Sequence, residues 1–337
     1  MKASRVLFQQ PALLVLAVGL IYVLLVSNQP SSLDTVVVMA TSCIMASSLA
    51  LIYGQAGVMS LAQAALASVG GYTTAVLTVR YGWPPALSLI ASILLPAVVG
   101  YVVARLVGRL SHLALAVATI LIANIIAYVI AGLPELTGGH VGLPGVPPPS
   151  FMIDIRSAAI VGVVLAAACT LVLQRVARSQ QGRALRTIAA DKILANSVGI
   201  SMPARLSAAF ALSAGMAGVA GWFYAHSRLF MTPDALSVNV SLTVLFMVIV
   251  GGSGTVIGPV VGAVGLTFLQ DLIPQSTLGP LYYGLALIVV LLIMPRGLFG
   301  TDWRRVFATA KAKRQDGPSR PNTQETPFRT VEKEAAR

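Results

Sequence analysis

Between one charged residue and the next, the chain leaves eight long stretches with no Asp, Glu, Lys or Arg: 6–33, 35–79, 81–104, 110–134, 157–174, 206–227, 235–270 and 272–295. Each can hold a helix of about 17 to 25 residues, the length that crosses a hydrocarbon core of about 30 Å. Inside lipid every backbone N–H and C=O must be satisfied within the protein, so runs this long and apolar are read as helices. The alternative, a large soluble core, fails on composition. Only 10% of the 337 residues are charged, against the roughly 25% of ordinary soluble domains. The expected fold is all-α, a polytopic transmembrane helix bundle.

The number of crossings follows from charge. Stretches 35–79 and 235–270 are interrupted by glycines, at Gly54 and Gly57 in the first and from Gly251 to Gly258 in the second. If both cross twice, there are ten spans with both termini cytoplasmic. The inner side then holds Lys2, Arg5, Arg105, Arg109, six Lys/Arg between 175 and 205, and ten from Arg296 onward, against Arg80, Arg156 and Arg228 outside. That bias is what the positive-inside rule requires, and neither nine-span arrangement achieves it. The division leaves room for one broken or half-crossing helix within 235–270. Residues 2–27 read as a first spanning helix rather than a cleaved leader.

The expected organisation is a transmembrane domain over 1–299 and a basic, partly disordered cytoplasmic tail over 300–337. An outer loop, 133–156, is rich in Gly and Pro and is either an ordered lid or a simple connector. A basic cytoplasmic loop, 175–205, holds Asp191 as its one acid. In the tail, Trp303, Val306, Phe307 and Ala310 at helical spacing suggest a short helix on the inner membrane face. The formal charge of +12 is spread over loops and tail rather than gathered on a folded face, so no nucleic-acid partner is expected. Membrane lipid is.

Several chemistries are set aside. Gly252, Gly254 and Gly258 miss the dinucleotide spacing by one and lie in no βαβ pattern. Ser253, in Gly251-Gly252-Ser253-Gly254, would need an activating histidine to serve as a nucleophile. His112, His140 and His226 all precede it, whereas the rhomboid histidine follows its serine. No P-loop occurs, so the chain holds no ATP site of that kind. Cys43 and Cys169 sit in apolar runs and indicate neither disulfide nor metal. The chain is read as no enzyme, with no catalytic residue and no cofactor of its own.

Polar groups within the spans are few, namely Gln55, Ser60, Gln63, Thr119, Asn124, Asn239 and Thr243. In lipid such groups turn toward the bundle or a water-filled path. Asp34, Asp234 and Asp271 fall near outer span ends, so the midplane carboxylate of an ion-coupled carrier is missing. Candidates for a solute path are Gln55, Gly57, Ser60, Gln63, Asn124, Gly252 and Gly254, because glycine-broken helices expose backbone groups to a solute. Gly215, Gly218 and Gly221 are read as packing glycines.

Three segments resemble the permease subunits of branched-chain amino-acid ABC importers, and the similarity runs from about residue 33 to Phe299. The first is Gly54-Gln-Ala-Gly57-Val-Met-Ser60-Leu61-Ala62-Gln63-Ala-Ala65, leading to Gly70-Gly71-Tyr72. The second is Leu136-Thr137-Gly138-Gly139 with Gly142-Leu143. The third is Gly182-Arg183-Ala184-Leu185-Arg186 with Ile188 and Gly199-Ile200. It continues in Ala217-Gly218-Val-Ala-Gly221, Tyr224-Ala225-His226 and Gly251-Gly252-Ser-Gly254-Thr-Val-Ile-Gly258-Pro259.

The resemblance implies a transport subunit of the bacterial inner membrane. Its partners would be a second permease, two ATP-binding subunits that use the ATP, and a periplasmic solute-binding protein. It also implies a cytoplasmic coupling helix, with Arg183, Arg186, Asp191, Lys192 and Gly199 as candidates for contact with the ATPase. Two places depart from the pattern. Ala190, Lys192 and Asn196 stand where acids are usual, which implies a less basic ATPase groove. Val141 replaces the usual Asp or Asn, which leaves urea, amides and aromatic acids open as solutes beside branched-chain amino acids. A stand-alone channel or secondary carrier for a small polar, urea- or amide-like solute is the other class the residues allow.

Overall fold

The structure is a computed structural model of the chain and describes residues 11–25, 29–108, 110, 112–273, 279–293 and 297–298. The tail and its expected inner-face helix lie outside the described residues. Thirteen helices and one two-residue strand pair make up the described fold. In chain order they are α1 Pro11–Leu25, α2 Pro30–Ala56, α3 Gln63–Tyr81, α4 Pro85–Val107, α5 His112–Ala131 and α6 Pro134–Thr137. After β1 Leu143–Pro144 come α7 Ile155–Arg178, α8 Gln180–Ala190, α9 Lys192–Ser197 and α10 Met202–Arg228. Past β2 Phe230–Met231 the chain ends in α11 Val238–Gly251, α12 Gly258–Leu272 and α13 Gly279–Ile293.

Five helices, α2, α4, α5, α7 and α10, are long and apolar enough to cross a membrane, and α1, α11 and α12 are shorter apolar helices. The two glycine-interrupted stretches each hold two helices, α2 with α3 and α11 with α12. At about 1.5 Å per residue, α11 and α12 reach only a little over 20 Å each, short of a full hydrocarbon core.

Helix α10 is the axis of the bundle and packs on α4, α3 and α2. Its small residues permit this. A methyl group at Gly218 would overlap the Ser92 carbonyl of α4, and one at Gly221 the Ala67 carbonyl of α3. Backbones therefore meet directly, the approach by which helices gain van der Waals contact in lipid. Trp222 extends the α4 contact, its indole N–H within 3.1 Å of both Pro85 O and Ser88 Oγ. On the other flank α2 packs on α7 and α12, and α1 packs on α7.

The segment after α5 is an ordered element. β1 pairs antiparallel with β2, Leu143 opposite Met231 and Pro144 opposite Phe230. Thr137 Oγ1 donates to Ile130 O at 2.6 Å, and His226 Nδ1 lies 2.9 Å from Pro147 O. Nearby, Arg228 at the end of α10 grips Asp34 at the start of α2 through two nitrogen–oxygen contacts of 2.8 and 3.3 Å.

Candidate functional site

The chain does not run straight from α2 into α3. Helix α2 stops at a glycine, Gly57, with φ +66° and its N–H on Tyr53 O, a left-handed cap that glycine adopts at no steric cost. Residues 57–62 are non-helical, and α3 begins at Gln63. Gln63 Nε2 donates to Ser48 Oγ at 2.7 Å and to Ser213 Oγ at 2.9 Å. Ser48 lies two helical turns before the end of α2, so the chain has climbed back about 12 Å into the bundle before α3 starts. Non-helical backbone is tolerated at such a level only when protein satisfies its polar groups. Here Thr119 Oγ1 of α5 accepts from Leu61 N at 3.0 Å, and Ser241 Oγ of α11 accepts from Ala64 N at 2.9 Å.

The sequence-derived path residues separate into three places. Ser60 and Gln63 are fully buried in this middle level, where the Gln63 side chain ties α2, α3 and α10 together. Its Oε1 has no hydrogen-bond partner among the described residues. Gln55, Gly57 and Gly252 gather at the end of α2. There a methyl on Gly54 would overlap the carbonyl of Ser253, in the turn between α11 and α12. The two glycine breaks, nearly two hundred residues apart in sequence, therefore touch each other. Gly254 in the same turn points into open space.

Asn124 lies elsewhere, exposed on α5. It lines a cavity of about 350 Å³ formed by α3, α5 and the segment 233–239, together with Ser68, Asp234, Ser237 and Asn239. The exposed amides Asn124 and Asn239 contrast with the exposed face of α4, where Leu87, Ile90, Leu94 and Val98 offer only hydrocarbon.

The loop 175–205 folds as two short helices. Helix α8 is capped by Ser179, whose side chain accepts from Gly182 N, and buries Leu185 and Ile188 against the bundle. Arg186 reaches back from it, with Nη1 2.6 Å from Gln55 Oε1 and 2.9 Å from Ala177 O. Since Gln55 is 6% exposed, this is a charge-assisted hydrogen bond with one end inside the bundle. Ala189 Cβ would lie 3.3 Å from a methyl on Gly57. Arg183 Nη1 donates to Arg178 O, at the end of α7. Asp191 caps α9, accepting from Ile193 N at 2.7 Å and Leu194 N at 3.2 Å. Gly199 ends the unit at φ +76° with open space around it.

Three residues that the sequence reading did not single out stand free on α9 and just after it. Ile193 is 83%, Leu194 53% and Val198 62% exposed, an apolar knob on an otherwise polar loop. Their signal is apolar residues inside a charged loop, which polar-residue scanning passes over. Ser48, Ser213 and Ser241 were missed because a serine in an apolar helix reads equally as a small packing residue.

A bundle of apolar helices with broken, internally satisfied segments and a protruding helical knob defines a multi-pass membrane protein of the transporter type. The chain belongs to the family described as branched-chain amino acid transport system, permease component, whose model matches residues 31–295. It is 26% identical over 316 residues to the high-affinity branched-chain amino acid transport system permease protein LivM of Escherichia coli (strain K12), covering 85% of this chain and 73% of that protein. The LivM of Salmonella typhimurium is 27% identical over the same shares. No solved structure matches.

Proposed function

We propose that the chain is one membrane subunit of an ATP-driven importer of the bacterial inner membrane, moving a branched-chain amino acid or a similar small solute inward. It works with a second permease, two ATP-binding subunits and a periplasmic solute-binding protein. In the bilayer it crosses ten times with both termini cytoplasmic, α11 and α12 forming a pair of short crossings.

The observation that carries this reading is the α8–α9 unit. A six-residue helix cannot hold itself in water by propensity alone, and an exposed apolar knob on a cytoplasmic loop calls for a protein partner. Movement of that partner would pass through Arg186 to Gln55 and through Ala189 to Gly57. It would reach the α11–α12 turn by way of Gly54. The exposed amides of α5 and α11 support a path shared with a second permease, since amides facing lipid would be costly.

Replacing Ile193 by Asp tests the knob directly. The variant is expected to insert in the membrane normally but to lose its ATP-binding subunits on gentle purification. Their unaltered retention, with normal uptake, would sink the reading.

A further inference from the structure

The cavity between α3, α5 and segment 233–239 has a chemistry of its own. Asp234 is the one formally charged residue of its lining among the described residues. It is exposed, and it enters no ion pair among the described residues, whereas Asp34 is occupied by Arg228. Asn124, in the same lining, donates its Nδ2 to Ile120 O of its own helix at 3.1 Å, so its carboxamide oxygen is left as an acceptor. The rest of the lining combines the hydroxyls of Ser68 and Ser237 and the amide of Asn239 with a hydrocarbon patch that includes Ile126 and Leu236. Leu236 is buried in the molecule's core.

A carboxylate with no counter-ion among the described residues, a neutral acceptor and hydroxyl donors in the same lining, and an aliphatic patch together describe the complement of a small zwitterion with an apolar body. From this juxtaposition we infer that the cavity is a solute site, in which Asp234 receives the ammonium group of an aliphatic α-amino acid and Asn124 accepts a second of its N–H bonds. The aliphatic side chain lies against Ile126 and Leu236. The inference rests on the transport reading above and adds a specificity-determining residue to it. It places discrimination within the membrane subunit as well as in the binding protein, because a solute lacking the ammonium forgoes the charge-assisted contact with the carboxylate.

The full complex is assayed in proteoliposomes with radiolabelled leucine, over a range of concentrations of liganded binding protein. The Asp234→Asn substitution keeps shape and removes charge. The maximal uptake rate is expected to fall about tenfold or more, the scale of one charge-assisted hydrogen bond. The binding-protein concentration giving half-maximal rate should stay nearly constant, and Asp234→Glu should recover much of the rate. An unchanged maximal rate in Asp234→Asn overturns the assignment. So does a loss cured by excess binding protein, which would place the carboxylate in the docking surface instead. If Asp234→Asn fails to assemble, Asn124→Leu provides the same test, with the same fall in maximal rate expected and an unchanged rate overturning the site. A wild-type complex that assembles with its ATPases yet moves neutral amides and no amino acid refutes the ammonium site while leaving the ATP-driven reading intact.

Discussion

Glycine does two different jobs in this chain, and space distinguishes them. Gly221 is held where a methyl would run into the Ala67 carbonyl and the Gly71 N–H, while Gly265 on α12 has nothing within 4 Å of that position. Replacing Gly221 by Ala is therefore expected to cost about 1 to 3 kcal/mol through overpacking. The detergent-solubilised protein should melt several degrees lower, whereas Gly265→Ala should melt as the parent does. Equal melting of the two variants would contradict the backbone contact. At the same scale, Arg186→Ala leaves the buried Gln55 carboxamide oxygen without its donor, a loss of about 1 to 3 kcal/mol. Solute moved per ATP hydrolysed should fall, because the link from α8 to α2 is gone, and Arg186→Lys should restore it only in part, since the shorter lysine stem carries its ammonium short of the point from which Nη1 meets both Gln55 Oε1 and Ala177 O. The roles of Gly215, Gly218 and Gly221 were legible from their spacing alone. The partnership of Arg186 with Gln55 was not, because nothing local links residues 131 positions apart.

Among the elements, the broken segment 57–62 and the α8–α9 unit are the parts that could change shape. Both are bounded by glycines in the left-handed region, Gly57 at φ +66° and Gly199 at φ +76°. A β-branched residue at Gly199 meets no steric neighbour but must adopt a backbone that costs about 1 to 2 kcal/mol. Gly199→Val should therefore insert and assemble while ATP-driven uptake falls, and uptake at the parental rate would deny the unit its coupling role. The glycine interruptions at 54–57 and 251–258 were readable from composition. Their mutual contact was not. The Gly54–Ser253 junction arises only when α2 packs on α12, a tertiary fact with no local signal. The apolar knob was hidden for a related reason, since Ile193 and Leu194 by themselves read as buried residues and only the folded loop leaves them outside.

Across the whole molecule, the uncharged stretches outlined the apolar helices in advance, because hydrocarbon excludes charge whatever the packing. What they could not outline is sidedness within the bundle, meaning which face of each helix meets protein, lipid or solute. That needed exposure. Asn124 stands out because α4 exposes only hydrocarbon between Leu87 and Val98, and Asp234 read in the sequence only as a charge at a span end. In the proposed function, ATPases held through α9 drive this membrane subunit. The most direct test is to purify the tagged chain gently from its native membrane and identify its companions by mass spectrometry. A second permease and two ATP-binding subunits are expected with the parent, the ATP-binding subunits being missing from Ile193→Asp. A chain recovered alone, or only with copies of itself, would contradict the proposed function and favour a channel or secondary carrier.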